Sequence, residues 1–248
     1  MPTTYETGHA KNVANFEAMI TAIANYGTNY NPSMPAIKLA ALQAQLSAVR
    51  QTVDQVNTAL GNHGNAVAQR NLGYEPLRQL SSRIISALKA TRAPQQLVDN
   101  AMSNHRKLTG IRASKKLGEE ERAALKTAGK EVKQVSASHQ SYDSILDTFD
   151  KQIKLLASIA QYQPNEIDLK ITTLETLFTA LQTKNTAVWT AKTALDKARM
   201  ARNKVMYVAE TGVIAISQDV KNYVKSLFGP SSEQYKHLAA LEFNYIKS

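Results

Sequence analysis

The chain has 248 residues, 43% of them hydrophobic and 20% charged, with a formal net charge of +10 and no cysteine. This composition excludes a disordered chain, a disulfide framework and a thiolate site, and it leaves enough apolar residues for a substantial core.

Residues 1–8 lack the basic and apolar regions of a signal peptide. Residues 10–26 read as a first helix, with Val13, Phe16, Ile20 and Ile23 on one face. A turn follows over 27–32, and Ser33 and Pro35 mark the start of a long helix. Its seam, Leu39, Leu42, Leu46, Val49, Val53, Val56 and Leu60, alternates in steps of three and four like the heptads of a coiled coil. The register continues through His63, Val67, Arg70 and Tyr74, with Gly61 and Gly64 as weak points. Pro76 ends it, because the proline ring removes a helical hydrogen bond. Shorter helices are expected at 77–90 and 95–108.

Residues 109–138, which hold Gly110, Gly118 and Gly129, read as a basic linker, partly flexible, with at most a short helix near 119–128. Beyond it, Tyr142, Leu146, Phe149, Ile153, Leu156 and Ala160 form the seam of another helix. Asn165 is placed to N-cap a second long helix over 166–208, with acidic Glu166 and Asp168 in its first turn. That helix carries Ile167, Ile171, Leu174, Phe178, Leu181 and Val188 on one seam, beside a second seam of mostly alanines. The apolar cluster at 213–216 is among the longest in the chain, far short of the ~20 residues that span a bilayer. A soluble, cytoplasmic protein with no membrane partner is expected.

The chain repeats itself. Residues 30–71 align with 162–203 at a constant offset of 132, with 11 identities in 42 positions, among them Tyr30/Tyr162, Lys38/Lys170, Leu42/Leu174 and Arg70-Asn71/Arg202-Asn203. The match resumes at offset 136, where Ile84 and Leu88 answer Val220 and Val224, and upstream Phe16, Ile20 and Ile23 answer Phe149, Ile153 and Leu156 at offset 133. The fold expected from this is all-α: an elongated helical bundle of two tandem homologous halves, 1–108 and 139–248, packed as one unit. Each half has one long helix and three shorter ones. The recurring tyrosines read as turn anchors, and the recurring Arg-Asn pairs as polar contacts near helix ends.

Catalytic signatures are missing. There is no Gly-rich phosphate loop, dinucleotide fingerprint or Gly-x-Ser-x-Gly elbow. The one Glu-x-x-His spacing, Glu6–His9, is a single copy where a di-iron bundle needs two. His63 falls on the long seam and reads as a packed or edge-facing side chain; Trp189, the single tryptophan, reads as core or interface packing. No metal, cofactor or small-molecule substrate is expected.

The positive charge is concentrated. Residues 106–133 hold nine Lys/Arg against four Glu, and 184–204 hold six against Asp196. The candidate basic patch comprises Arg106, Lys107, Arg112, Lys115, Lys116, Lys192, Lys197, Arg199, Arg202 and Lys204. Solvated helix faces explain these runs best; attraction of nucleic acid is the alternative, although Trp189 is the only aromatic within the second run.

Several strings resemble a family of uncharacterised all-helical proteins from Bacteroidetes bacteria: Gly8-His-Ala-Lys-Asn-Val-Ala-Asn-Phe16, Ala198-Arg-Met-Ala-Arg-Asn203, Asp219-Val-Lys-Asn-Tyr-Val-Lys-Ser-Leu-Phe-Gly229 and Ser232-Glu-Gln-Tyr-Lys236. The resemblance covers most of the chain outside the central linker. It implies a bacterial, intracellular protein of unknown role and transfers no activity or site residue; the concentration of these strings near the C-terminus suggests a docking or self-association surface at that end. The function expected is therefore a non-enzymatic helical scaffold or self-assembling protein, with a homo-oligomer or a protein partner, and nucleic-acid binding as the runner-up.

Overall fold

The computed structural model describes residues 4–111, 127 and 140–246, and of 4–7 the backbone alone. The short helix expected near 119–128 lies outside the described residues apart from Thr127, as does His139. The described residues form an all-helical fold without strands: α1 Thr4–Ala24, α2 Leu39–Tyr74, α3 Leu77–Ala90, α4 Gln95–Thr109, α5 Tyr142–Ala157, α6 Ile171–Tyr207, α7 Val213–Phe228 and α8 Glu233–Ala239. No helix among them is long and apolar enough to cross a membrane.

Local chemistry sets most of the boundaries. Ser141 and Ser232 cap α5 and α8 by accepting from the N–H groups of Ser144 and Tyr235, each at 3.2 Å. Gly110 ends α4 at φ 71°, in the left-handed region that glycine reaches without strain. α2 stops at Tyr74, one residue before Glu75-Pro76, as the proline requires. The start of α6 differs from expectation. Despite Asn165 and its acidic neighbours, the chain makes a 3-10 turn over Ile167–Leu169 and enters the helix only at Ile171. Ile167, expected on the buried seam, is consequently 74% exposed.

The chain divides into two compact units, Met1–Gly64 with Thr190–Ser248, and Asn65–Trp189. The dividing points fall inside α2 and α6, so each unit takes the opening part of one long helix and the closing part of the other. In the first unit Phe16 and Ile23 of α1 pack with Leu42 and Val49 of α2, Met206 of α6, and Val220 and Val224 of α7. In the second, Phe149 and Leu156 of α5 pack with Leu174 and Leu181 of α6, and Ile84 and Leu88 of α3. The positions that answer one another in the sequence are thus buried in both cores. Burying such side chains contributes roughly 1.5–3 kcal/mol each, which is why the apolar stripes dominate the choice of residues.

In the second unit, Ser81 Oγ of α3 lies 2.8 Å from Nδ1 of His105 on α4. Burial pushes the His105 pKa below its ordinary 6.5, with Arg106, Arg78 and Lys89 adding to the shift. A lowered native pKa means the unfolded chain binds the proton first, so the contribution to stability is complete above about pH 6.5 and is lost as pH falls through the native value. Urea unfolding across that range is expected to show the wild type losing its advantage over His105→Gln on acidification; a difference that does not vary with pH would contradict this. A second prediction concerns Gly61 and Gly64, which sit inside α2 with open space where a Cβ would stand. Gly61→Ala and Gly64→Ala are each expected to raise the unfolding free energy by about 0.5–1 kcal/mol.

Candidate functional site

The candidate site is a cleft in the second unit, and the connector between α5 and α6 builds one of its walls. Tyr162 is buried there, and its hydroxyl donates to the carbonyl of Leu169 at 3.0 Å. Leu169 closes the 3-10 turn; Lys170 is extended at φ −64°, ψ 142°, and its carbonyl accepts from the N–H groups of Thr173 and Leu174, which opens α6. The connector between α1 and α2 does the same. There the Tyr30 hydroxyl donates to the Ile37 carbonyl at 2.7 Å, and Lys38 is extended at φ −65°, ψ 145°. Burial, with Asp168 and Glu166 nearby, pushes the Tyr162 pKa up to about 12, so the phenol keeps its proton and remains a donor.

The cleft has a volume of about 570 Å³ and lies between α3 and this connector. Ala87, Tyr162 and Leu169 supply apolar wall, while Ser82, Ser86 and Gln163 supply exposed hydroxyl and amide groups. Arg83 of α3 reaches across to Asp168 of the turn with both terminal nitrogens, Nη2 to Oδ1 at 3.2 Å. Both side chains are about half exposed, so the pair adds little stability, but it ties the two walls together. The arrangement is suited to binding. No group of three or more His, Cys, Asp or Glu is placed to hold a metal ion among the described residues.

The candidate basic residues do not gather here. Arg106 and Lys107 occupy the last turn of α4, where a cation meets the negative end of the helix. On α6, Lys192 is paired with Asp196 at 2.5 Å, while Lys197 and Lys204 are exposed and Arg199 is half-buried. Arg202 is only 1% exposed, with Nε and Nη2 turned to Asn203 Oδ1 at 3.2 and 3.0 Å. Arg112, Lys115 and Lys116 lie outside the described residues. The α6 stretch therefore presents fewer cations to solvent than its composition suggests.

Other singled-out residues are placed clearly. The Arg70 guanidinium stacks over the Tyr142 ring at 3.9 Å, and the Tyr142 hydroxyl donates to Asn71 Oδ1 at 2.6 Å. His9 is buried against Tyr207, Nδ1 to Oη 2.5 Å. His63 is half-buried in α2. Trp189 is 63% exposed, which removes the core alternative of its reading as core or interface packing. Of the cleft residues, Tyr162, Asn165 and Glu166 stood out in the sequence, as a turn anchor and as helix-start signals, and none of them pointed to a cleft. The one other signal among them is a size mismatch in the repeat, Ala87 answering Tyr223 among otherwise matched apolar positions.

Set against known protein families, curated proteins and solved structures, the chain matches none.

Proposed function

We propose that this chain is a non-enzymatic helical scaffold that arose by tandem duplication and works by associating with protein, first of all with further copies of itself. The duplication reading is supported by the paired burial of Phe16/Phe149, Leu42/Leu174 and Leu88/Val224, and by the two turns tied in the same way by Tyr30 and Tyr162. A bacterial, cytoplasmic setting is part of this reading; the lack of cysteine fits a reducing compartment.

The observation that carries self-association is Trp189. It is the single tryptophan, it is largely exposed, and it stands on a long regular helix. A large aromatic held outward on a rigid element is the residue type that most often anchors a protein interface. Nucleic-acid binding ranks second, because the pairing of Lys192 and the burial of Arg202 thin the basic stretch of α6. Gel shifts at low salt test that alternative, and no shift removes it.

Light scattering at micromolar concentration is expected to give a mass above the 27.3 kDa of one chain. The fluorescence of Trp189 should shift to the blue as concentration rises, since association removes the indole from water. Trp189→Ala should keep its helical circular dichroism and sediment as a monomer. A wild type that stays monomeric, with unchanged emission and no partner recovered, would contradict the proposal.

A further inference from the structure

After α8 the chain runs on over residues 241–246 as a non-helical strap, and helices hold it in place. Interior helical residues have already paired their own backbone groups, so side chains must satisfy the main chain of the strap. Asn12 of α1 does this with both ends of its amide. Its Nδ2 donates to the carbonyl of Asn244 at 2.8 Å, and its Oδ1 accepts from the N–H of Asn244 at 3.0 Å. About one turn along α1, Asn15 Nδ2 donates to the carbonyl of Glu242 at 2.6 Å. Lys221 Nζ of α7 donates to the carbonyl of Leu241 at 2.5 Å. The side chains of the strap fit as well. Leu241 and Phe243 pack on the first core, and the Tyr245 ring lies 4.6 Å from that of Tyr207 on α6. Ile246 occupies the space left by the missing side chain of Gly8, where a Cβ would stand 2.8 Å from its Cδ1. All of these residues belong to the first unit.

Side chains that clasp the main chain of an extended segment, with pockets for its alternate residues, are the contacts by which a groove takes a peptide. The strap is also loosely tied to its own chain. Among the described residues, 242–246 take part in no backbone–backbone hydrogen bond, and Glu242, Asn244 and Tyr245 are exposed. Its release therefore breaks no helix. We infer that α1, the end of α6 and α7 form a groove for residues 241–246 of a second copy of this chain, the two copies exchanging straps reciprocally. Each contact is the same whether the strap arrives from its own chain or from the partner, so the turn at Ala240 and the local concentration decide between them. The inference rests on the self-association reading, because association anchored by Trp189 supplies that local concentration. Six extended residues span about 20 Å, which sets how near the two grooves must lie in the assembly.

The chain has no cysteine, so Gly8→Cys and Ile246→Cys report the contact directly. Each is placed in a separate full-length chain; the two are mixed at micromolar concentration under reduction, and the thiols are then oxidised. The 8–246 disulfide between chains is expected to outnumber the 8–8 and 246–246 disulfides about tenfold by peptide mass spectrometry. Adding Asn12→Ala to the Gly8→Cys chain should lower that yield about tenfold, since both hydrogen bonds to Asn244 are lost. In one chain carrying both cysteines, exchange gives linked oligomers, whereas a strap that stays at home gives closed monomers alone. A dye-labelled peptide of residues 241–246 guards against a cysteine pair that fails to bond. It should bind the wild type saturably and the Asn12→Ala chain about tenfold more weakly. Closed monomers alone, no excess of the 8–246 disulfide in the mixture, or no peptide binding would each overturn the inference. An oligomeric wild type with such a result sinks strap exchange and spares self-association; a monomeric wild type sinks both.

Discussion

A tyrosine hydroxyl that reaches seven residues ahead to a carbonyl decides where each long helix begins. Tyr30 takes the carbonyl of Ile37 and Tyr162 that of Leu169. A buried hydroxyl and a buried carbonyl that satisfy each other avoid the desolvation cost of two unpaired polar groups. Fixing that pair forces a 3-10 turn followed by one extended lysine, and only then can the backbone settle into α2 or α6. The starting points of the long helices, the register of their apolar seams, and the wall of the cleft all follow from this tie.

The two units differ in how they fill positions that answer one another in the sequence. The matched apolar positions close both cores, but Tyr223, which stands over Tyr30 in the first unit, is answered in the sequence by Ala87 in the second, and there Arg83 pairs with Asp168 of the turn. Near the ends of the long helices the contrast recurs in polar form. Arg70 stacks on Tyr142, whereas Arg202 is buried beside Asn203. The buried apolar positions are largely alike in the two units, and the contrasts at Tyr223, Arg83 and Asp168 fall at exposed and half-buried ones.

Much of the fold was legible in the sequence because it rests on apolar periodicity. Leu42, Val49, Leu174 and Leu181 were marked by spacing alone and all are fully buried. The tyrosine anchors were legible through repetition. What escaped was whatever depends on a contact distant in the sequence. Asn165, Glu166 and Asp168 carry good local signals for a helix start, yet the Tyr162–Leu169 bond overrides them. Arg202 belonged to a run of cations on composition, and only packing reveals that it is buried. Trp189 sits beside the seam in register but turns outward. The cleft escaped because its walls, α3 and the connector between α5 and α6, come from stretches far apart in the sequence.

The claim on which the account stands is that the two hydroxyl–carbonyl ties are equivalent and each fixes its turn. Equilibrium unfolding of Tyr30→Phe and Tyr162→Phe measures this most directly, since each change deletes one oxygen and leaves the ring in place. The account predicts similar losses of about 1 kcal/mol in the two variants, with the helical content unchanged. Stability indistinguishable from the wild type in either variant would contradict it.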